Sequence, residues 1–314
     1  MSVTPIVDHA DWSLSYFDRS DAQELTSPFP KQKDAAERCT RWFAILDAAK
    51  IPNLEEILAS QSSECRCLFS GKTAEDIGAV SPWLVDLDKT SSLAKSILST
   101  ERVPLGYWSA EAWVAFEASA PFDDLWSHLR KFTRVWAKNG SSKYFRFYEA
   151  NNYRTLSLEE LSSLNTYFCK LFSDRISRMS IPDVENDALQ ILEFAGGTPI
   201  ARGPNGLRLS ESEVEPILER ALDLRFRKAA LEMMRACEDQ DISVPSERDC
   251  VRVLLILRDE CGYRYWDDMT RAGTALAVEQ LFSASAIRAR LQLAPFTSKS
   301  EQALYLWNSV VRVA

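Results

Sequence analysis

The chain has 314 residues, 46% of them hydrophobic, and a formal net charge of -8. A chain of this length and composition can fill one large core or two ordinary ones, which indicates a globular protein. The acidic total argues against a surface built to coat nucleic acid or anionic membrane, because the overall field repels polyanions unless positive charge is concentrated locally.

The seven cysteines are spread along the chain without the close, regular spacing of a small disulfide-stapled domain. An odd, irregular set of this kind favours a reducing compartment. The opening residues, MSVTPIVDHADW, lack the charged and apolar regions of a signal peptide. Since no stretch reaches the roughly 18 apolar residues of a membrane span, we expect a cytoplasmic protein without membrane insertion.

Residues 1–40 read as a mixed, proline-containing lead-in. From residue 41, apolar runs alternate with segments of helical period: RWFAILDAA then PNLEEILAS, CRCLFSG then TAEDIGAVS, PWLVDLD then SSLAKSILST, and AWVAFEAS then PFDDLWSHLRKF. Four such pairs predict an α/β domain over residues 41–180, with parallel neighbouring strands joined by right-handed crossovers.

A basic stretch, residues 128–154, interrupts this alternation with seven Lys or Arg side chains and one acid. Within it, TRVWAK and KYFRFYE flank Asn139-Gly140, a strong signal for a β-hairpin turn. Strand alternation then separates a core face from an outer face. The core face holds Phe145 and Phe147, and the outer face holds Tyr144, Arg146 and Tyr148.

The second half of the chain is helical in period. SIPDVEND marks a plausible domain boundary, and LQILEF reads as one more strand. Ser210 is a candidate N-cap, and Glu213 three residues later completes a capping box. We therefore predict a mainly α-helical module over residues 181–314.

Catalytic equipment is scarce in this sequence. His9 and His128 are the two histidines, and His128 lies on a predicted helix. Cys65 and Cys67 form a CxC without the further ligands of structural zinc, so we expect core burial there. No nucleophile motif, cofactor motif or metal site is recognised. An enzyme that uses His128 with a carboxylate partner remains an alternative.

Three interpretations of the basic hairpin are open. It is a core hairpin whose cations extend to solvent, a protein-docking surface with Arg and Tyr anchors, or a platform for nucleic acid. The net acidic charge weighs against the third. On the docking interpretation, Arg146→Glu should weaken partner capture and leave the melting temperature nearly unchanged.

Four stretches, taken in order, resemble a known family. They are WFAILDAA, then CLFSG with SPWLVDLD, then FEASAPFDDLWSHLRKF, then KYFRFYE. Together they resemble the N-terminal domain of the type VI secretion effector adaptors, also called effector chaperones. Where that family has Asp-Pro-Arg after the aromatic run, this chain has Glu149, Ala150 and Asn151.

The resemblance implies a non-enzymatic cytoplasmic adaptor that binds a toxic effector and loads it onto the VgrG spike. It further implies that residues 41–180 carry a shared docking role and that residues 181–314 form a cargo-recognition module. No cofactor, nucleic acid or membrane insertion is implied. The candidate partner-binding residues are Pro82, Trp83, His128, Arg130, Tyr144, Arg146 and Tyr148.

Overall fold

The structure is a computed structural model that describes residues 4–9, 12–20, 40–61, 63–87, 91–154, 156, 158–194 and 208–310. The chain divides into two compact units, Met1–Leu218 and Glu219–Ala314, here called the N-terminal and C-terminal units.

Strands in the described part of the N-terminal unit form two sheets. They are β1 (Thr4–His9), β2 (Trp12–Asp18), β3 (Arg41–Asp47), β4 (Cys65–Cys67), β5 (Pro82–Asp86), β6 (Trp113–Ala118), β7 (Arg134–Trp136), β8 (Ser142–Tyr144), β9 (Ile176–Asp183), β10 (Ala188–Phe194) and β11 (Leu209–Ser210). The large sheet has the order β1-β2-β10-β9-β6-β3-β5-β4, and the small sheet has the order β11-β7-β8.

Neighbouring strands of the large sheet are antiparallel, so the predicted parallel arrangement was wrong. The long apolar run of β3 has a different cause. Trp42 and Ala44 pack in one buried cluster, whereas Phe43 and Ile45 pack in another. Continuous apolar runs are typical of parallel strands because helices cover both faces of such sheets. Here an antiparallel sheet is covered on both faces and produces the same pattern.

Helices alternate with the strands as predicted. They are α1 (Leu54–Ala59), α2 (Lys72–Ile77), α3 (Ser91–Leu98), α4 (Phe122–Leu129), α5 (Leu158–Ser163) and α6 (Asn165–Phe172). Short 3-10 turns cover Gly78–Val80, Arg130–Thr133 and Ala150–Asn152. The predicted fold class, an α/β N-terminal domain with a hairpin followed by a mainly helical module, is confirmed.

The predicted hairpin is formed by β7 and β8, with Gly140 in its turn at a φ of 81°. Phe145 and Phe147 are buried, as predicted. The predicted outer-face position of Tyr148 was wrong, because this residue is only 4% exposed. Since β8 ends at Tyr144, strand alternation does not continue to residue 148.

The first strands and the predicted boundary both fall within the large sheet. β2 pairs with β10 from Trp12 opposite Phe194 to Asp18 opposite Ala188, and β10 pairs with β9. Residue 180, where the boundary was predicted, lies inside β9, whereas the compact units divide after Leu218. Residues 21–39 of the predicted lead-in, and the side chain of His9, lie outside the described part.

The C-terminal unit is helical over its described residues. α7 (Glu211–Glu238) begins before the division between the units, and α8 (Glu247–Asp259), α9 (Trp266–Val278), α10 (Ala284–Gln292) and α11 (Lys299–Val310) follow. At the start of α7 the Ser210 backbone N–H donates to Glu213 Oε2 over 2.8 Å, which is one half of the predicted capping box. No helix in the described residues is both long and apolar enough to cross a membrane.

Candidate partner-binding site

The helix α4 and the 3-10 turn after it separate the residues of the His-Leu-Arg stretch. His128 and Leu129 are buried with the apolar side of α4, whereas Arg130 is half-buried at the protein surface. This separation follows from helical geometry, because residues two positions apart project about 200° apart around the axis. Neighbouring motif residues therefore lie in different environments.

His128 belongs to the core. Its ring nitrogen Nε2 lies 2.7 Å from the carbonyl oxygen of Leu171, and its ring centre lies 5.1 Å from that of Phe132. Burial lowers the pKa of His128 to about 4, so the ring is neutral at neutral pH. Its described hydrogen-bond partner is a backbone carbonyl, not the carboxylate that the catalytic alternative requires.

A cleft of about 450 Å³ opens beside Arg130. Its lining combines three cations, four aliphatic hydroxyl groups and two aromatic rings. The lining residues are Leu68, Phe69, Ser70, Thr73, Ser127, Arg130, Lys131, Thr133, Arg134 and Tyr144. These residues carry no carboxyl, imidazole or thiol group. We call this the basic cleft.

Arg130 is held in place on one wall of the basic cleft. Its guanidinium lies 4.4 Å from the ring centre of Trp126 and donates a hydrogen bond to Ser70 Oγ. Trp126 is itself fixed, because its Nε1–H donates to the carbonyl oxygen of Cys67 over 2.8 Å. A cation stacked on an anchored ring loses little further conformational freedom when it binds a ligand.

Arg134 and Tyr144 form the hairpin side of the basic cleft. Arg134 donates to the Tyr144 hydroxyl over 3.0 Å, and its guanidinium lies 4.8 Å from the centre of the same ring. The hydroxyl group also lies 3.1 Å from Thr73 Oγ1, and the ring centre lies 5.4 Å from that of Phe69. Tyr144 thereby joins the hairpin to the segment around α2.

Arg146, a predicted docking residue, lies in a different environment. It forms an ion pair with Asp47, whose side chain is 3% exposed at the end of β3, and its Nε lies 3.8 Å from Glu149 Oε2. The guanidinium also lies 5.6 Å from the ring centre of the buried Tyr148. We call these four residues the ion-pair cluster.

Burial raises the pKa of Asp47, although Arg146 and Lys50 act to lower it. Desolvation of the carboxylate therefore outweighs its attraction to the nearby cations. Removing Arg146 would leave a buried carboxylate without its main counter-charge. On this geometry we expect Arg146→Glu to lower the melting temperature, contrary to the prediction made from the sequence alone.

Pro82 and Trp83 lie in β5, inside the large sheet. Pro82 is buried and stands opposite Asp47 in the strand register, which places it beside the ion-pair cluster. Trp83 is half-buried, pairs with Leu46 and Cys67, and packs against one of the buried apolar clusters.

The structure thus distributes the seven predicted residues among several places. Arg130 and Tyr144 meet in the basic cleft. Arg146 pairs with Asp47, Tyr148 lies beside Arg146, and Pro82 stands opposite Asp47 in the sheet. His128 is buried in the protein interior, and Trp83 is half-buried against one of the apolar clusters.

Sequence reasoning did not identify Phe69, Ser70 and Thr73 as part of a site. They approach the hairpin only through the tertiary fold, and no local pattern signals that contact. A signal did exist for Asp47, because a charged residue that ends an apolar strand is expected to have a counter-charge. Cys65 and Cys67, expected in the core, are half-buried free thiols whose pKa is raised by desolvation.

No curated protein and no solved structure matches the chain significantly. One family model does match, over residues 42–162. That range contains the ion-pair cluster and the lining residues of the basic cleft. The matching family is described as a domain of unknown function (DUF4123).

Proposed function

We propose that this chain is a non-enzymatic adaptor that binds a specific type VI secretion effector in the cytoplasm and loads it onto the VgrG spike. The partners are inferred from the resemblance of four ordered stretches to the effector adaptors. The family model for a domain of unknown function matches residues 42–162, a range that contains all four stretches, and it specifies no activity.

The observation that carries the proposal is the chemistry of the basic cleft. General acid–base catalysis at neutral pH needs a titratable group within reach of the reacting atoms. The described lining of the cleft carries no carboxyl, imidazole or thiol group for this purpose, and it offers two permanently charged guanidiniums, the Lys131 ammonium, hydroxyl groups and aromatic rings. Arg and Tyr are the side chains that most often anchor protein partners, so this lining favours binding over turnover.

The C-terminal unit is proposed to take part in cargo recognition. Several of its apolar side chains are exposed, including Leu293 at 74% and Tyr265 at 71%. Single exposed apolar side chains are common on protein surfaces, so they permit contact with a partner but do not identify one. The cargo-recognition role is therefore proposed from the resemblance.

The experiment is co-expression of the tagged chain with the products of its neighbouring genes, followed by affinity purification and size-exclusion chromatography. We expect a candidate effector or a VgrG protein to co-elute with the chain in a defined complex. Omitting the effector gene serves as the matched control for VgrG binding. If neither protein co-elutes even at low salt, the adaptor proposal is wrong.

A further inference from the structure

The described arginines of the N-terminal unit differ in their partners. Seven of them lie within ion-pair distance of a carboxylate: Arg19, Arg41, Arg66, Arg146, Arg154, Arg175 and Arg178. In the described part of the chain, the side-chain hydrogen bonds of Arg130 and Arg134 go to neutral hydroxyl groups instead. Arg130 donates to Ser70, and Arg134 donates to Ser142 and Tyr144.

This difference has a direct electrostatic consequence. The protein carries eight more acidic than basic side chains, yet two stacked guanidiniums in one cleft have no carboxylate partner among the described residues. An incoming carboxylate would gain charge-assisted hydrogen bonds there without displacing an existing ion pair. The cleft is therefore electrostatically complementary to an anion.

The shape of the basic cleft favours a polypeptide over an enclosed small molecule. Buried ligand sites usually enclose 70–90% of their ligand. By contrast, the lining residues Ser70, Ser127, Lys131 and Arg134 are exposed, and Tyr144 is 51% exposed. A chain running across the surface can contact such a lining and remain largely solvated.

Strand β8 adds a second feature that suits an extended chain. It is the outermost described strand of the small sheet. Phe145 N–H donates to Thr133, and Ala137 N–H donates to Ser141. In an antiparallel ladder these bonds alternate, so the backbone groups of Ser142 and Tyr144 point away from β7. An edge of this kind accepts an added strand.

We propose that the basic cleft binds an extended acidic segment of the protein partner. Its carboxylates bond to Arg130 and Arg134, and its backbone runs over Phe69 and Tyr144. The identification of this segment as part of the adaptor's partner rests on the proposed function. The preference of the cleft for an acidic peptide is independent of that proposed function.

The first test measures fluorescence anisotropy with two labelled 12-residue peptides, one of alternating Asp and Ser and one of alternating Asn and Ser. We expect the acidic peptide to bind at least about tenfold more tightly, the equivalent of one charge-assisted contact. The variant Arg130→Gln/Arg134→Gln should lose that preference. Arg102→Gln, an exposed arginine outside the cleft lining, is the matched control and should bind like the wild type.

Thermal melts accompany each variant. If the double variant is unfolded, the single variant Arg134→Gln replaces it, because Arg134 is exposed and its loss leaves the core intact. Equal binding of the two peptides overturns the proposal. So does an acidic preference that survives the loss of the cleft arginines.

A nucleic-acid ligand is the rival outcome, since phosphates also bind guanidiniums. A labelled single-stranded oligonucleotide with the charge of the acidic peptide is measured in the same salt. Tighter binding of the oligonucleotide that depends on Arg130 and Arg134 overturns the proposal in favour of nucleic acid.

Co-expression then separates this inference from the adaptor proposal. Loss of partner co-elution from Arg130→Gln/Arg134→Gln, with retention by Arg102→Gln, is the expected result. If the double variant co-elutes with the partner to the same extent as the wild type does, the cleft assignment fails and the adaptor proposal stands. If the wild type captures no partner, the adaptor proposal fails, and the peptide measurement alone decides the ligand of the cleft.

Discussion

The ion-pair cluster and the basic cleft use arginine in opposite ways. In the cluster, Arg146 neutralises the buried carboxylate of Asp47. In the cleft, Arg130 and Arg134 are held by aromatic rings and hydroxyl groups, and the described lining residues include no carboxylate. An arginine in a basic segment thus indicates a docking surface only when the fold has not already supplied its counter-charge.

Breaking the ion-pair cluster has the largest expected effect on stability. Arg146→Glu places a second acid beside the buried Asp47, and we expect it to lower the free energy of unfolding by about 3 kcal/mol or more. Arg134→Glu makes the same charge change on an exposed side chain, and it should alter that free energy by about 0.5 kcal/mol or less. Urea denaturation of both variants measures the difference. Equal losses would contradict the contrast between the two regions.

The pH dependence of stability tests whether the buried Asp47 carboxylate causes the loss of stability expected when Arg146 is replaced. A carboxyl whose pKa is raised by folding holds its proton more tightly in the folded state, so stability falls as pH rises above the unfolded value of about 3.9. Arg146→Ala removes a cation that lowers this pKa. The stability deficit of Arg146→Ala should therefore be larger at pH 8 than at pH 4. A deficit independent of pH would point to lost packing instead.

Titration of His128 gives the next largest expected effect on stability. It tests whether His128 is buried while Arg130, two residues later, lies at the surface. Folding lowers its pKa from 6.5 to about 4, so the unfolded chain binds the extra proton first on acidification. The stabilising contribution is complete above about pH 6.5 and is lost as pH falls towards 4. Between pH 7 and pH 5 the loss from this residue should be about 2 kcal/mol.

A matched variant isolates this contribution. His128→Gln keeps a side-chain donor for the Leu171 carbonyl and does not titrate. We expect urea denaturation of this variant to show a smaller loss between pH 7 and pH 5 than the wild type, by about 2 kcal/mol. Parallel losses in the two proteins would mean that His128 is accessible to protons, which would support a role at the surface or in catalysis.

Local sequence patterns were sufficient to predict the secondary-structure elements but not to predict the candidate sites. Apolar runs and helical periods located β3, β5, β6 and α4, because burial and periodicity are properties of the local sequence. They could not give strand direction, since a sheet covered on both faces has the same run in either orientation. The role of Arg146 depends on Asp47, 99 positions away. The basic cleft likewise needs Phe69 and Thr73 beside Tyr144, a contact that only the tertiary fold creates.

The smallest expected effect concerns the Tyr144 hydroxyl. Tyr144→Phe removes its contacts with Thr73 and Arg134, both on the protein surface, and keeps the ring beside Phe69. Exposed hydrogen bonds contribute little net stability, so the free energy of unfolding should change by about 0.5 kcal/mol or less. Affinity for the acidic peptide should be equal or slightly higher, because Arg134 no longer donates to the hydroxyl. A clear loss of affinity with unchanged stability would instead make the hydroxyl group a direct ligand contact, and the comparison would then rest on Tyr144 as well as on the two arginines.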